Sequence, residues 1–163
     1  MVKQKGRLAS SFLKQGHTYF FRYSGFTLIE LMIVVVIIAI LAAIAYPSYM
    51  QYKIRTNRAD LQVELIRIAQ RLQAYQLVNH TYSGATLAGI GGSSTYPVTD
   101  DAVYAIDLAI DGDNLGYVLT ATPIATSIQA DNGVLCLNQE TQKYWEKGAT
   151  ACALSSTSSW DGR

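Results

Sequence analysis

The chain has 163 residues, half of them hydrophobic, and a formal net charge of +1. That length holds one modest domain and one further element. Neither the apolar residues nor the charges are evenly spread, and their order along the chain carries the information.

The first 25 residues are basic: Lys3, Lys5, Arg7, Lys14 and Arg22 all precede the first acid, Glu30. A secretory signal places an apolar stretch ahead of a small-residue cut site. Here the order is inverted, so a cut at Ser24-Gly25 leaves the apolar stretch on the mature chain. Sixteen consecutive apolar residues run from Leu31 to Tyr46. Counted from Phe26 they make about 20 residues of helix, enough to cross a bilayer. Glu30 stands at the mouth of that span, where a charge is costly and seldom kept without a use. Orientation is undecided by charge, because Arg7, Lys14 and Arg22 before the span balance Lys53, Arg55 and Arg58 after it.

Pro47 removes the hydrogen bond to the Ala43 carbonyl, which predicts a bend or loosening of the helix there. Beyond it Leu61, Leu65, Ile68, Leu72 and Tyr75 recur in alternating steps of four and three. That spacing is one apolar stripe on a water-facing helix. We therefore place a hydrophobic helix over residues 26–52, an amphipathic helix over 53–78 and a globular domain over 79–163. The domain begins with a loop rich in Gly, Ser and Thr, residues 79–101. AVYAIDLAI, the turn DGDN and LGYVLTATP then read as a hairpin. VLCLN follows the turn DNG at 131–133, and QKYW reads as a further short strand. The fold class is α+β, with one long helix packed on three or four antiparallel strands that cover the 61–75 stripe. The tail ALSSTSSWDGR reads as loose, with Trp160 the residue able to pin it.

Two cysteines, Cys136 and Cys152, both lie beyond the span with 15 residues between them. An even pair in a small domain outside the membrane points to a disulfide and an oxidising compartment, the alternative being two separate buried thiols. Chemistry is thinly represented. His80 is the one histidine after residue 25, and no Gly-rich phosphate loop or zinc-like spacing occurs. Asp111 and Asp113 in DGDN lack the rest of a calcium loop and fit a hairpin turn. No enzyme, metal site or cofactor is expected.

Gly25-Phe26-Thr27-Leu28-Ile29-Glu30, followed by an apolar helix and Pro47, resembles the class III signal of type IV pilins. The resemblance implies that a membrane peptidase cuts between Gly25 and Phe26 on the cytoplasmic side and methylates the new amino terminus. Glu30 then becomes the fifth mature residue and Pro47 the twenty-second, where the family places them. YVLTATP at 117–123, the cysteine of VLCLN and the later KYW resemble PilE-type minor pilins, and Cys136 to Cys152 corresponds to the family's C-terminal disulfide region. Such pilins often carry a glycine in the turn before the tryptophan-bearing strand, whereas this chain has Glu140-Thr141. The leader of residues 1–25 is long for the family, which leaves open a start after Met1.

The resemblance implies a structural role for Glu30. A helix rises 1.5 Å per residue, so Glu30 lies about 6 Å along the axis from the amine freed at Phe26. In a bundle of apolar helices neither an unpaired carboxylate nor an unpaired amine is tolerated. An acid on one copy and the Phe26 amine on its neighbour satisfy each other, and they fix register as much as they add energy. Family filaments show a helix loosened around the residue at Pro47, the alternative being a static kink. The implied partners are other pilin subunits, major and minor, the prepilin peptidase, the inner-membrane assembly platform and the membrane itself. The implied location is the inner membrane, with the globular domain periplasmic, and then the pilus.

Two rival functions differ in what they require. A DNA-binding competence pilin needs a basic patch. From Gln76 onward three basic residues face nine acidic ones, a net charge of −6, which opposes direct nucleic-acid binding. A type II secretion pseudopilin shares the N-terminal half and is not separated by it.

Overall fold

The computed structural model describes residues 25–98 and 101–162. The leader expected over residues 1–25 therefore lies outside the described residues apart from Gly25. The chain divides into two units, one up to Ile40 and one from Leu41 onward.

The first unit is the start of helix α1, which spans Leu28–Asn79 as a whole. Thr27 caps it, its Oγ1 accepting from the Glu30 N–H at 3.2 Å. Thr27 and Glu30 have the spacing of a capping box, and the acid sits where the helix dipole favours it. Every side chain from Leu28 to Ile40 is exposed.

In the second unit α1 is continuous through Pro47. Its stripe is the floor of the core: Leu61, Leu65, Ile68 and Leu72 are fully buried. Each such burial is worth about 2 kcal/mol relative to exposure. Tyr75, the fifth member, is half-buried, and its hydroxyl donates to the Ser83 carbonyl at 3.0 Å. The helix ends where His80 takes a left-handed conformation (φ 57°) and its N–H returns to the Gln76 carbonyl at 2.7 Å. That single bond is a C-terminal cap, which gives the lone downstream histidine a backbone role.

Five antiparallel strands lie in sequence order: β1 Thr95–Tyr96, β2 Tyr104–Ile110, β3 Tyr117–Pro123, β4 Leu135–Asn138 and β5 Lys143–Trp145. The expected count was three or four. The extra strand, β1, is a two-residue pairing inside the Gly/Ser/Thr-rich loop, set by Thr95 opposite Ala105 and Tyr96 opposite Tyr104. Tyr104, Ile106, Tyr117, Leu119, Ala121, Leu135 and Leu137 point from the sheet onto the helical stripe.

DGDN forms the β2–β3 turn. The Asp111 N–H donates to the Gly116 carbonyl at 3.0 Å, and the Leu115 N–H donates to Asp113 Oδ1 at 2.9 Å. Among the described residues no third acid, histidine or cysteine joins Asp111 and Asp113 in a metal-binding group. The turn between β4 and β5 is closed by Thr141 at φ 61°. Asn138 compensates, its Oδ1 accepting from the Gln142 N–H at 2.9 Å and its own N–H donating to the Gln142 carbonyl at 3.2 Å.

The tail is not loose. The Trp160 indole N–H donates to the Cys136 carbonyl at 3.1 Å, and the Ser159 carbonyl accepts from the Trp145 N–H at 3.1 Å along the free edge of β5. Cys136 and Cys152 are joined in a disulfide with their Cα atoms 5.9 Å apart, tying β4 to the segment that leads into this tail.

Candidate processing and assembly site

Gly25 and Phe26 precede the Thr27 cap outside regular secondary structure and are exposed. A Cβ built on Gly25 meets nothing within 4 Å among the described residues. No packing contact among the described residues therefore requires glycine there. Gly133 is the contrast: at φ 90° its added Cβ would collide with the Glu146 carbonyl, so that glycine is a demand of the fold.

Phe26 is 79% exposed. One turn on, Glu30 has its N–H bound to the Thr27 hydroxyl and its carboxylate exposed, and its side chain forms no ion pair among the described residues. The helix beyond is long and apolar enough to cross a membrane, and none of that apolar stretch is buried by the chain itself. A surface of that size, bare from Leu28 to Ile44, must be covered by lipid or by other copies. The sequence-predicted residues Gly25, Phe26 and Glu30 are thus placed together on one exposed end of α1. Pro47 lies further along the same helix, and Cys136 and Cys152 lie in the sheet domain.

A second assembly of side chains was invisible to the sequence reading. Arg58, expected to be part of a basic cluster with Lys53 and Arg55, instead lies with its guanidinium 3.6 Å over the Trp145 ring. It also donates to Asn132 Oδ1 at 3.3 Å. Asn132 Nδ2 donates to the Tyr104 hydroxyl at 2.9 Å and to Gln129 Oε1 at 2.8 Å. Tyr104 in turn donates to Gln129 Oε1 at 3.1 Å, and Gln129 Nε2 donates to the Ile54 carbonyl at 3.0 Å. Burial lowers the Arg58 pKa and raises that of Tyr104, the latter offset in part by the Asn132 hydrogen bond and the nearby Arg58 charge. This network locks the helix to the sheet and to residues 129–132. Lys143 likewise sits 5.0 Å over the Trp160 ring. Arg58 and Lys143 thus each lie over an indole face.

Two family models match the sequence. "Prokaryotic N-terminal methylation motif" covers residues 21–46. "Type IV minor pilin ComP, DNA uptake sequence receptor" covers residues 47–140, more than half of the chain. The chain belongs to this type IV minor pilin family. The second match begins at Pro47 and takes in the amphipathic helix and β1 to β4, the part in which the N-terminal motif has no say. No individual curated protein matches the chain. Among solved structures it is similar to a type IV pilin from Shewanella oneidensis, with 20% identity, 61% of this chain and 97% of that chain covered, and a TM-score of 0.41. As a type IV minor pilin, the chain carries a long N-terminal helix on an antiparallel sheet, an apolar helix suited to membrane anchoring and to a pilus, and pilus subunits as its partners.

Proposed function

We propose that this minor pilin is made with residues 1–25 on the cytoplasmic side, cut after Gly25, methylated on the Phe26 nitrogen, and drawn from the inner membrane into a type IV pilus. Its globular domain faces the periplasm before assembly and the cell exterior afterwards. Its role is structural rather than catalytic: it is needed for pilus assembly, and so for twitching motility, adhesion or DNA uptake. The observation that carries this reading is the coincidence of Gly25, Phe26 and Glu30 in register at the bare end of an apolar helix. Inside the fibre the Glu30 carboxylate of one copy pairs with the Phe26 amine of another. Methylation keeps that amine charged, so the pairing survives it. Deleting the gene tests the proposal: surface pili, twitching and DNA uptake fall while type II secretion is intact. Lost secretion with normal pili would instead make the chain a pseudopilin.

A second reading is favoured by the family description, which names a DNA uptake sequence receptor. Against direct DNA contact stand the net charge of −6 from Gln76 onward and the stacking of Arg58 and Lys143 on tryptophans. We place DNA uptake downstream of pilus assembly, without direct capture by this subunit. Gel-shift titration at low and physiological salt separates the two. No tight retardation is expected at either salt concentration, and tight binding that weakens as salt rises would make the chain the receptor itself.

A further inference from the structure

We propose that Tyr46, Tyr49 and Tyr52 form an anchor in the headgroup layer that sets how deeply α1 sits in the membrane before the subunit is withdrawn. The partner is a phospholipid headgroup surface carrying anionic phosphates. This goes beyond the pilus reading and rests on it only in requiring that α1 enter a bilayer.

All three tyrosines belong to the unit that begins at Leu41, and they are 67%, 61% and 69% exposed. None of the three hydroxyls has a hydrogen-bond partner among the described residues. Their spacing of three places them within an arc of about 120° on the helix surface and spreads them over about 9 Å of its axis. The polar layer on each side of a hydrocarbon core is about 5–7 Å thick, so the three rings match its depth. Tyrosine prefers that layer because its ring is apolar and its hydroxyl needs a polar partner. Composition changes at the same place. The uninterrupted apolar run ends at Tyr46, Pro47 and Ser48 follow, and the only charges between Glu30 and Asp60 are Lys53, Arg55 and Arg58. Lys53 is exposed one turn from Tyr49 and Arg55 one turn from Tyr52, positioned to meet phosphate. Pro47 leaves the Ala43 carbonyl without its helical N–H, a loss that is tolerable where water and headgroups can supply donors. The core stripe begins only at Leu61, so nothing in the domain competes for these rings.

The test uses the full chain reconstituted in vesicles of phosphatidylethanolamine and phosphatidylglycerol, with flotation scored first. A wild-type chain that fails to float would overturn the membrane reading itself. A membrane-impermeant maleimide then reports the depth of Gln51→Cys, with labelling normalised to Ser156→Cys in the exposed tail. The paired cysteines Cys136 and Cys152 do not react. Replacing all three tyrosines by phenylalanine removes only hydroxyls, and it should draw the helix inward by about one turn so that Gln51→Cys becomes protected. Replacing them by tryptophan should leave it reactive. Equal labelling in wild type and in the phenylalanine variant overturns the proposal. So does unchanged labelling with lost fibre incorporation, which would assign the tyrosines to contacts between subunits.

Discussion

Arg58 and Trp145, 87 positions apart in sequence, meet face to face with the guanidinium 3.6 Å above the indole. The indole N–H of the same tryptophan donates to the Asn132 carbonyl at 2.9 Å, while Arg58 holds the Asn132 side chain. One helix residue and one strand residue thus clamp the turn between them. Arg58→Ala removes a partly desolvated cation–π contact and a charged hydrogen bond, a loss of about 2–3 kcal/mol. Arg58→Lys should recover only part, because an ammonium lacks the flat face that stacks. Denaturant titration of the two variants checks the order, and a double-mutant cycle with Trp145→Ala should show coupling.

Two buried tyrosines should respond in opposite ways to loss of the hydroxyl. Tyr104→Phe strips a partner from both Gln129 and Asn132 and should destabilise by about 1–2 kcal/mol. Tyr117 is fully buried, packs edge-on to Tyr82 at 5.0 Å, and its hydroxyl has no hydrogen-bond partner among the described residues. Tyr117→Phe should therefore be neutral or stabilising. Thermal denaturation of the two variants side by side is the check.

The same tyrosine sets an alkaline limit. Burial pushes the Tyr117 phenol up to about 12 from its usual 10. The unfolded chain releases its proton first, so stability is intact below pH 10 and declines as pH rises through 12. Stability curves of wild type and Tyr117→Phe should diverge over that window, with the variant losing less.

Thr141 carries a left-handed backbone at φ 61°, which is unfavourable for a β-branched residue. Thr141→Gly relieves it, at some entropic cost in the unfolded chain, and should raise stability by about 1 kcal/mol or a few degrees in Tm. A melting curve decides this, and an unchanged or lower Tm would mean that the Asn138 bonds already relax the turn.

Breaking the disulfide with Cys136→Ser and Cys152→Ser opens a 15-residue loop. The loop-entropy argument puts the loss at about 3 kcal/mol. The tail should loosen with it, since Trp160 reaches the Cys136 carbonyl from the far side of that loop. Denaturant midpoints and protease nicking after residue 152 measure the two effects.

Much of this architecture was legible because it repeats. The stripe from Leu61 to Leu72 announces itself by its spacing, and the hairpin over 104–123 is flagged by its turn residues. β1 was not legible, because two residues in a Ser/Gly-rich loop show no alternation and become a strand only by pairing with β2. Gln129 and Asn132 were missed for another reason. They are buried at 0% and 7% exposure, but amide side chains beside a turn read as surface until their partners are known. The one available signal was an arginine off the helical stripe together with a tryptophan beyond the last turn. At the proposed processing site, Gly25, Phe26 and Glu30 were readable as a linear motif. The partner proposed for Glu30 belongs to another copy of the chain.

The most direct measurement of the central claim is mass spectrometry of the amino terminus of this protein in fibres sheared from the cell surface, for wild type and Glu30→Ala. The account predicts wild-type chains that begin at methylated Phe26 and a variant that is cut normally yet depleted from the fibres. Full-length wild-type chains confined to the membrane, or Glu30→Ala present in fibres at the wild-type level, would contradict it.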